Sequence, residues 1–224
     1  LSLLSPKHSY LSTFLLDEKF NGVSWWAPYI RMLPSDFDSM PIFFPEEDLK
    51  WLEGSPFLDQ VTDKKADIRK DYDAILKVAP EFGRYSFWEF CWARMNACSR
   101  IFGINIDGVK TDAFVPLADM LNHRRPKQTA WSYSDEKKGF IIESLEDIER
   151  GGHVYDSYGK KCNSRFLLNY GFIVLENDGN EVALRVSYKN DDPCIKAKTT
   201  LLKENPQPRT FRVMAQVEEE NTVE

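Results

Sequence analysis

The chain has 224 residues, of which 42% are apolar and 13% aromatic, and it carries a formal net charge of −6. That much apolar material speaks against global disorder, and an excess of 35 acidic over 29 basic side chains speaks against a dedicated binder of nucleic-acid backbones. No run of about 18 or more apolar residues occurs, so no membrane-spanning helix is expected.

The cysteines at 91, 98, 162 and 194 form no C-x-x-C pair and no regular framework, so they read as free thiols of a reducing compartment. No signal-peptide pattern opens the chain. Its first residue is Leu rather than Met, so the natural N-terminus is expected to lie ahead of it.

In chain order, Ser5-Pro6 reads as a helix start, Leu11, Phe14, Leu15 and Leu16 follow at helical spacing, and Asn21-Gly22 reads as a stop. The aromatic cluster Trp25-Trp26-Ala27-Pro28-Tyr29-Ile30 reads as packing, with a ligand platform as the alternative. Phe44-Pro45-Glu46-Glu47 opens a helix closed by Gly54. From Pro56 to Pro80 the apolar positions predict helix, with Lys64, Lys65, Arg69 and Lys70 on a solvated outer face. Ser86-Phe87-Trp88-Glu89 matches a capping box before a helix to about Arg100, with Gly103 as its stop.

The period then changes to two. Residues Ala130 to Ser134 and Phe140 to Ser144 predict a hairpin around Lys138-Gly139, and Val154 to Tyr158 predict a short strand. Asn163-Ser164 caps a brief helical turn stopped by Gly171. Residues Phe172 to Leu175 and Val182 to Val186, flanking Asn177-Asp178-Gly179-Asn180, predict a second hairpin, and residues 187–224 turn polar. The basic stretch Arg124-Arg125-Pro126-Lys127 reads as a solvated loop or as a rim that attracts an acidic substrate.

The densest chemistry lies between Phe114 and Phe172, where an Asn122-His123 corner is followed by Tyr155, Tyr158 and Tyr170. Four readings fit these residues: a structural corner, a metal site, a nucleophilic triad, and a tyrosine-lined transfer site. The metal reading rests on Asp119, Asn122 and His123 and lacks a further His or Cys. The triad reading lacks a G-x-S-x-G elbow.

The stretch V-P-L-A-D-M-L-N-H followed by Y-D-S-Y-G-K-K-C-N-S-R-F-L-L-N-Y-G-F-I resembles the C-terminal half of a SET domain, in its Rubisco large-subunit methyltransferase-like branch. The upstream S-W-W-A-P-Y-I-R-M-L-P and S-F-W-E-F-C-W-A-R-M-N-A-C-S-R resemble the helical insertion of that branch. The resemblance covers roughly residues 8 to 190 and implies an α+β SET fold of short β-strands, with a threaded C-terminal segment and a large helical insertion. Residues 1–104 are then the insertion, 105–188 the second half of the core, and 189–224 the start of a C-terminal substrate-binding domain.

The resemblance also implies S-adenosyl-L-methionine as methyl donor and a lysine-containing protein as acceptor, with no metal, no nucleic acid and no membrane partner. By position it assigns Asn122, His123 and Arg100 to the donor, Tyr158 to donor and catalysis, and Ser99, Tyr170 and Phe172 to the acceptor. The branch's Gly-x-Gly donor loop is expected ahead of Leu1. Histidine-methylating relatives carry Asn and Trp where this chain has Phe102 and Ala118, which favours lysine. Protein-histidine methylation and a non-catalytic binding module are the alternatives, and an intracellular location, cytoplasmic or nuclear with plastid as a further option, is expected.

Such chemistry suits these residue types. An exposed lysine has a pKa near ~10.4, and desolvation beside a cationic sulfonium favours its neutral form. A neutral amine needs alignment more than a strong base, so Tyr158 is expected to orient rather than deprotonate.

Overall fold

The computed structural model describes residues 2–185, 191–204 and 210–214. Two compact units emerge, one of Leu1–Gly159 with Ser164–Ile173, the other of Lys160–Asn163 with Val174–Glu224.

The first unit begins with α1 (Pro6–Phe20), α2 (Ala27–Ile30), α3 (Glu46–Leu49), α4 (Pro56–Val78) and α5 (Phe87–Arg100). Pro6 suits a first helical position because no N–H is needed there. The Ser5 hydroxyl does not cap α1. Asp71 of α4 anchors the chain just ahead of it, accepting the Leu4 and Ser5 backbone N–H groups at 2.6 and 3.2 Å. The same carboxylate accepts from the Ser9 hydroxyl at 2.9 Å and from Arg94 of α5 at 3.2 Å. One buried anion thus joins α1, α4 and α5.

Helix α5 opens with the expected capping box, Ser86 accepting the Glu89 N–H and Glu89 accepting the Ser86 N–H. Its Phe90, Cys91, Ala93, Met95 and Ala97 are fully buried against α1 and α4, which makes it the central helix of the core. Phe90 meets the rings of Tyr72 and Phe82 at 5.5 and 6.0 Å. Truncating such a side chain to alanine costs roughly 3–5 kcal/mol.

The expected solvated face of α4 needs correction. Arg69 and Lys70 are exposed, Lys70 paired with Asp67 at 3.0 Å, but Lys64 and Lys65 are half-buried. Lys65 lies over the Trp88 ring at 4.8 Å and Arg69 over Phe87 at 3.3 Å, because the aromatic start of α5 packs beside them. Lys64 turns inward and donates to Asn169 Oδ1 at 2.6 Å.

Helix α5 ends at Arg100 as expected, but Gly103 is not its stop, because Ile101 is already extended and Gly103 lies in a strand. β1 (Phe102–Ile106) pairs antiparallel with β2 (Val109–Ala113) around Asp107-Gly108, whose φ values of 48° and 80° fit a two-residue hairpin loop. This hairpin is not among the elements expected from the sequence.

β3 (Asn122–His123) pairs parallel with β6 (Tyr155–Asp156), and β4 (Thr129–Ser134) pairs antiparallel with β5 (Gly139–Ser144) as expected. The strand expected over 154–158 is therefore only two residues long. α6 (Asn163–Tyr170) stops at Gly171, whose φ of 78° lets its N–H reach the Phe166 and Leu167 carbonyls at 3.1 Å.

The second unit holds β7 (Glu181–Arg185), α7 (Ile195–Glu204) and β8 (Thr210–Met214), with β7 and β8 antiparallel. The expected pairing of residues 172–175 with the strand at 182 does not form. Asn163 bonds the Val174 N–H and carbonyl at 3.0 and 2.9 Å, so side-chain groups take the place of a ladder there. Val186 lies outside the described residues, as does half of the polar stretch 187–224. Among the described residues no helix is long and apolar enough to cross a membrane.

Candidate active site

Four segments of the first unit converge: the last turn of α5, the turn Ala118–Met120 with β3, the residues after β6, and the end of α6 with Phe172. Pairing of β3 with β6 fixes two of them. Arg124 N–H donates to the Asp156 carbonyl at 2.8 Å, and the Thr129 hydroxyl donates to the Tyr155 carbonyl at 3.1 Å.

His123 sits within an aromatic group, its ring 4.8 Å from Phe166, 5.2 Å from Tyr158 and 6.0 Å from Phe172. Its Nδ1 accepts the Tyr158 backbone N–H at 3.0 Å. The Tyr158 hydroxyl donates to the Leu121 carbonyl at 2.7 Å, and its ring stacks on Tyr170 at 5.0 Å. Burial raises both phenols, Tyr170 to about 12, so both stay protonated near neutrality.

Arg100 donates to the Asp119 carbonyl at 3.1 Å and to Asp119 Oδ2 at 3.3 Å. The Tyr29 hydroxyl donates to the same Oδ2 at 2.7 Å. The Asp119 side chain is 0% exposed, and burial pushes its carboxyl upward against the pull of Tyr29 and Arg100. Burial also raises the Tyr29 phenol, with the bonded carboxylate adding to it. Among the described residues, Arg100 Nε and Asp119 Oδ1 are buried without hydrogen-bond partners.

Two cavities flank this cluster. One of about 310 Å³ is lined by Phe102, Ala118, Trp131 and Asp156; the other, of about 490 Å³, by Phe37, Met40, Met120, Asn122 and Phe172. Ser99, Arg100, Asp119, Tyr158 and Tyr170 line both. Ser99 itself bonds back to the Met95 carbonyl at 2.8 Å. Phe102, Trp131 and Phe140 form an aromatic group beside the smaller cavity, with centroids 4.9 to 5.6 Å apart.

Of the sequence-predicted residues, Ser99, Arg100, Asn122, Tyr158, Tyr170 and Phe172 face a cavity, and His123 braces Tyr158 from behind. Tyr155 does not join them. It stacks on His153 at 4.3 Å, because a two-residue strand turns alternate side chains to opposite faces. Asn122 Nδ2 lies 3.1 Å from His153 Nε2. Among the described residues no group of three His, Cys, Asp or Glu side chains is placed to hold a metal ion.

Tyr29 was missed, and Asp119 was weighed only as a metal ligand. Ninety residues separate the two, so no local pattern links them. Trp131 and its partner Phe102 were also missed as a cavity-side pair, since their contact depends on the unexpected first hairpin.

No family model matches the chain. It is 30% identical over 207 residues to the ribosomal lysine N-methyltransferase set10 of Schizosaccharomyces pombe, a match covering 89% of this chain and 38% of that protein. It is 26% identical over 204 residues to the actin-histidine N-methyltransferase of Homo sapiens, covering 86% of this chain and 34% of that protein. Among solved structures, the SET domain of LSMT bound to MeLysine and AdoHcy aligns with a TM-score of 0.74 at 24% identity, over 94% of this chain and 50% of that one. Rubisco LSMT bound to AdoMet aligns with a TM-score of 0.72 at 22% identity, with the same coverages of 94% and 50%. The chain thus spans between a third and a half of the length of these proteins. It carries a SET fold and is similar in sequence to a lysine and a histidine N-methyltransferase.

Proposed function

We propose that this chain supplies the catalytic centre of an S-adenosylmethionine-dependent protein N-methyltransferase that acts on lysine. The observation that carries the reading is the wall of Ser99, Arg100, Asp119, Tyr158 and Tyr170 shared by the two cavities. An in-line displacement needs donor and acceptor on opposite sides of the transferred group, and a shared wall offers that arrangement.

The larger cavity suits the donor. Arg100 lines it with a guanidinium, a group that suits a carboxylate-bearing ligand, and Asn122 adds an amide. Met120 adds apolar surface, and so does Phe172, which the resemblance assigned to the acceptor and which lines this cavity and not the smaller one. S-adenosylmethionine bound there supplies a methyl group activated on a sulfonium.

In the smaller cavity, Phe102, Trp131 and Tyr170 exclude water from an entering amine and favour its neutral form. The Tyr158 proton is committed to the Leu121 carbonyl, so its oxygen serves as an acceptor that orients an amine N–H. A phenol raised by burial does not serve as the base, and the amine proton leaves to solvent before transfer. Phe102 and Ala118 are apolar lining residues of this cavity, which under the resemblance stated above supports lysine. The name of the set10 relative, a ribosomal lysine methyltransferase, agrees with that choice.

The full-length protein, incubated with methyl-labelled S-adenosylmethionine and a protein extract, is expected to yield labelled Nε-methyllysine after hydrolysis. Labelled 3-methylhistidine would overturn the acceptor, as the actin-histidine relatives would then suggest. No label, together with no calorimetric heat for the donor, would overturn the enzyme reading in favour of a binding module.

A further inference from the structure

Lys64 of α4 takes no part in the chemistry above, yet its side chain turns inward. It lines a cavity of about 440 Å³ that α4 shares with α1, α5 and the end of α6. Burial lowers the pKa of its ammonium, which marks a head group drawn out of bulk water. Asp63 and Asp67 line the same cavity, but the hydrogen bonds of the ammonium go elsewhere. It donates to Asn169 Oδ1 at 2.6 Å and reaches the Cys98 sulfur at 3.9 Å.

Both partners stand next to the proposed catalytic wall. Asn169 precedes Tyr170, and Cys98 precedes Ser99 and Arg100, all three of which line both catalytic cavities. The Asn169 amide is itself fixed, because its Nδ2 donates to the Arg165 carbonyl at 2.9 Å and leaves Oδ1 for Lys64. Tyr170 in turn stacks on Tyr158 at 5.0 Å. The last turns of α5 and α6 therefore meet at one ammonium that lines neither catalytic cavity. A lysine suits this place: its four-carbon stem reaches across the gap, and a charged donor makes a stronger hydrogen bond than a neutral one.

We propose that Lys64 is a positioning residue for methyl transfer. Through Asn169 and Cys98 it sets where Tyr170 stands relative to the Ser99-Arg100 turn. This role rests on the transferase reading above, and because Lys64 lies outside both catalytic cavities the tether can be read without turnover.

Hydrogen exchange of the full-length protein, followed by peptide mass spectrometry, reads the tether directly. Lys64→Met keeps the length of the stem and removes the charged head. It is expected to speed exchange over residues 166–172 by about threefold or more, while residues 90–97 in the middle of α5 exchange as in wild type. Lys64→Arg is expected to restore the wild-type pattern, and the surface control Lys70→Met to leave it unchanged. In single-turnover kinetics Lys64→Met is expected to lower the transfer rate about tenfold with the donor Kd within about twofold, and Lys64→Arg to recover most of the rate. Asn169→Leu breaks the same contact from the other side, so it serves if Lys64→Met fails to fold. It is expected to match the loss, and the double variant to add nothing further. Faster exchange over 166–172 in a protein that transfers no methyl group would support the tether and count against the transferase reading alone. Unchanged exchange over 166–172 in Lys64→Met and Asn169→Leu, or additive rate losses in the double variant, would overturn the positioning role. So would a lower urea midpoint with the transfer rate unchanged, which is the mark of a purely structural lysine.

Discussion

His123 Nδ1 accepts the backbone N–H of Tyr158 at 3.0 Å, across 35 positions of sequence, and the two rings stack at 5.2 Å. The imidazole thereby holds the tyrosine by its main chain and by its ring, while the Leu121 carbonyl holds its hydroxyl. This side chain lies on the wall between two cavities. Such preorganisation is what alignment of a neutral nucleophile requires.

Removing only the hydroxyl tests that role. Tyr158→Phe keeps the ring stack on Tyr170 and the main-chain bond to His123. It is expected to lower kcat by about 10²–10³-fold, the range for loss of one preorganised polar group, while the donor Kd stays within about threefold. Single-turnover kinetics with parallel calorimetry separate the two; equal losses in both would contradict an orienting role.

Tyr29 acts on Arg100 at one remove, through Asp119 Oδ2. Tyr29→Phe strips a hydrogen bond from a buried carboxylate, which costs about 1–3 kcal/mol of stability. The loosened Arg100 is expected to raise the donor Kd by roughly tenfold, equivalent to about 1.4 kcal/mol, with kcat changed much less. Urea denaturation and calorimetry check the two halves separately. A stability loss with no change in donor affinity would show Tyr29 to be structural alone.

These elements differ in how far the sequence reveals them. Helix ends marked by nearby residues were legible: Ser86 with Glu89, Pro6, and Gly171 all act within one turn. The hairpin at Lys138-Gly139 was equally local. Asp107-Gly108 carried the same kind of signal and was passed over beneath the expected end of α5. The direction of Lys64 was not legible, since its partner Asn169 lies 105 residues away. Tyr29 with Asp119 is a case of the same kind. In the candidate site the resemblance pointed to cavity-lining residues and to His123 behind Tyr158, whereas Tyr29, which bonds Asp119 Oδ2 beside Arg100, had no local signal.

His8 makes stability depend on pH. Its pKa falls from 6.5 to about 4 on folding, because burial and the neighbouring cations Arg94, Lys7 and Lys64 oppose its charge. The unfolded chain therefore takes up a proton near pH 6.5 that the folded chain refuses until about pH 4. The contribution is present above pH 6.5 and lost as pH falls toward 4. After discounting for partial exposure, about 1–2 kcal/mol is at stake. Urea unfolding at pH 7.5 and 4.5 is expected to show a smaller acid loss for His8→Gln than for wild type, by about that amount.

Gly171 sets the angle between Tyr170 and Phe172. Its φ is +78°, and a Cβ there would stand 2.5 Å from Ser39 Oγ and 3.1 Å from Met40 Cγ. Gly171→Ala is expected to cost more than about 1 kcal/mol in urea unfolding, since neither the backbone angle nor the space suits a side chain. An unchanged midpoint would show that the segment around Ser39 yields freely.

The central claim is that donor and acceptor meet across the wall of Tyr158 and Tyr170 from separate cavities. A crystal structure of the full-length protein with S-adenosylhomocysteine and a lysine-containing peptide tests it most directly. The account predicts the thioether sulfur on the Asn122 and Arg100 side, the lysine amine on the Phe102 and Trp131 side, and the Tyr158 oxygen beside the line between them. Sulfur and amine in the same cavity, or a donor bound away from Arg100, would contradict it.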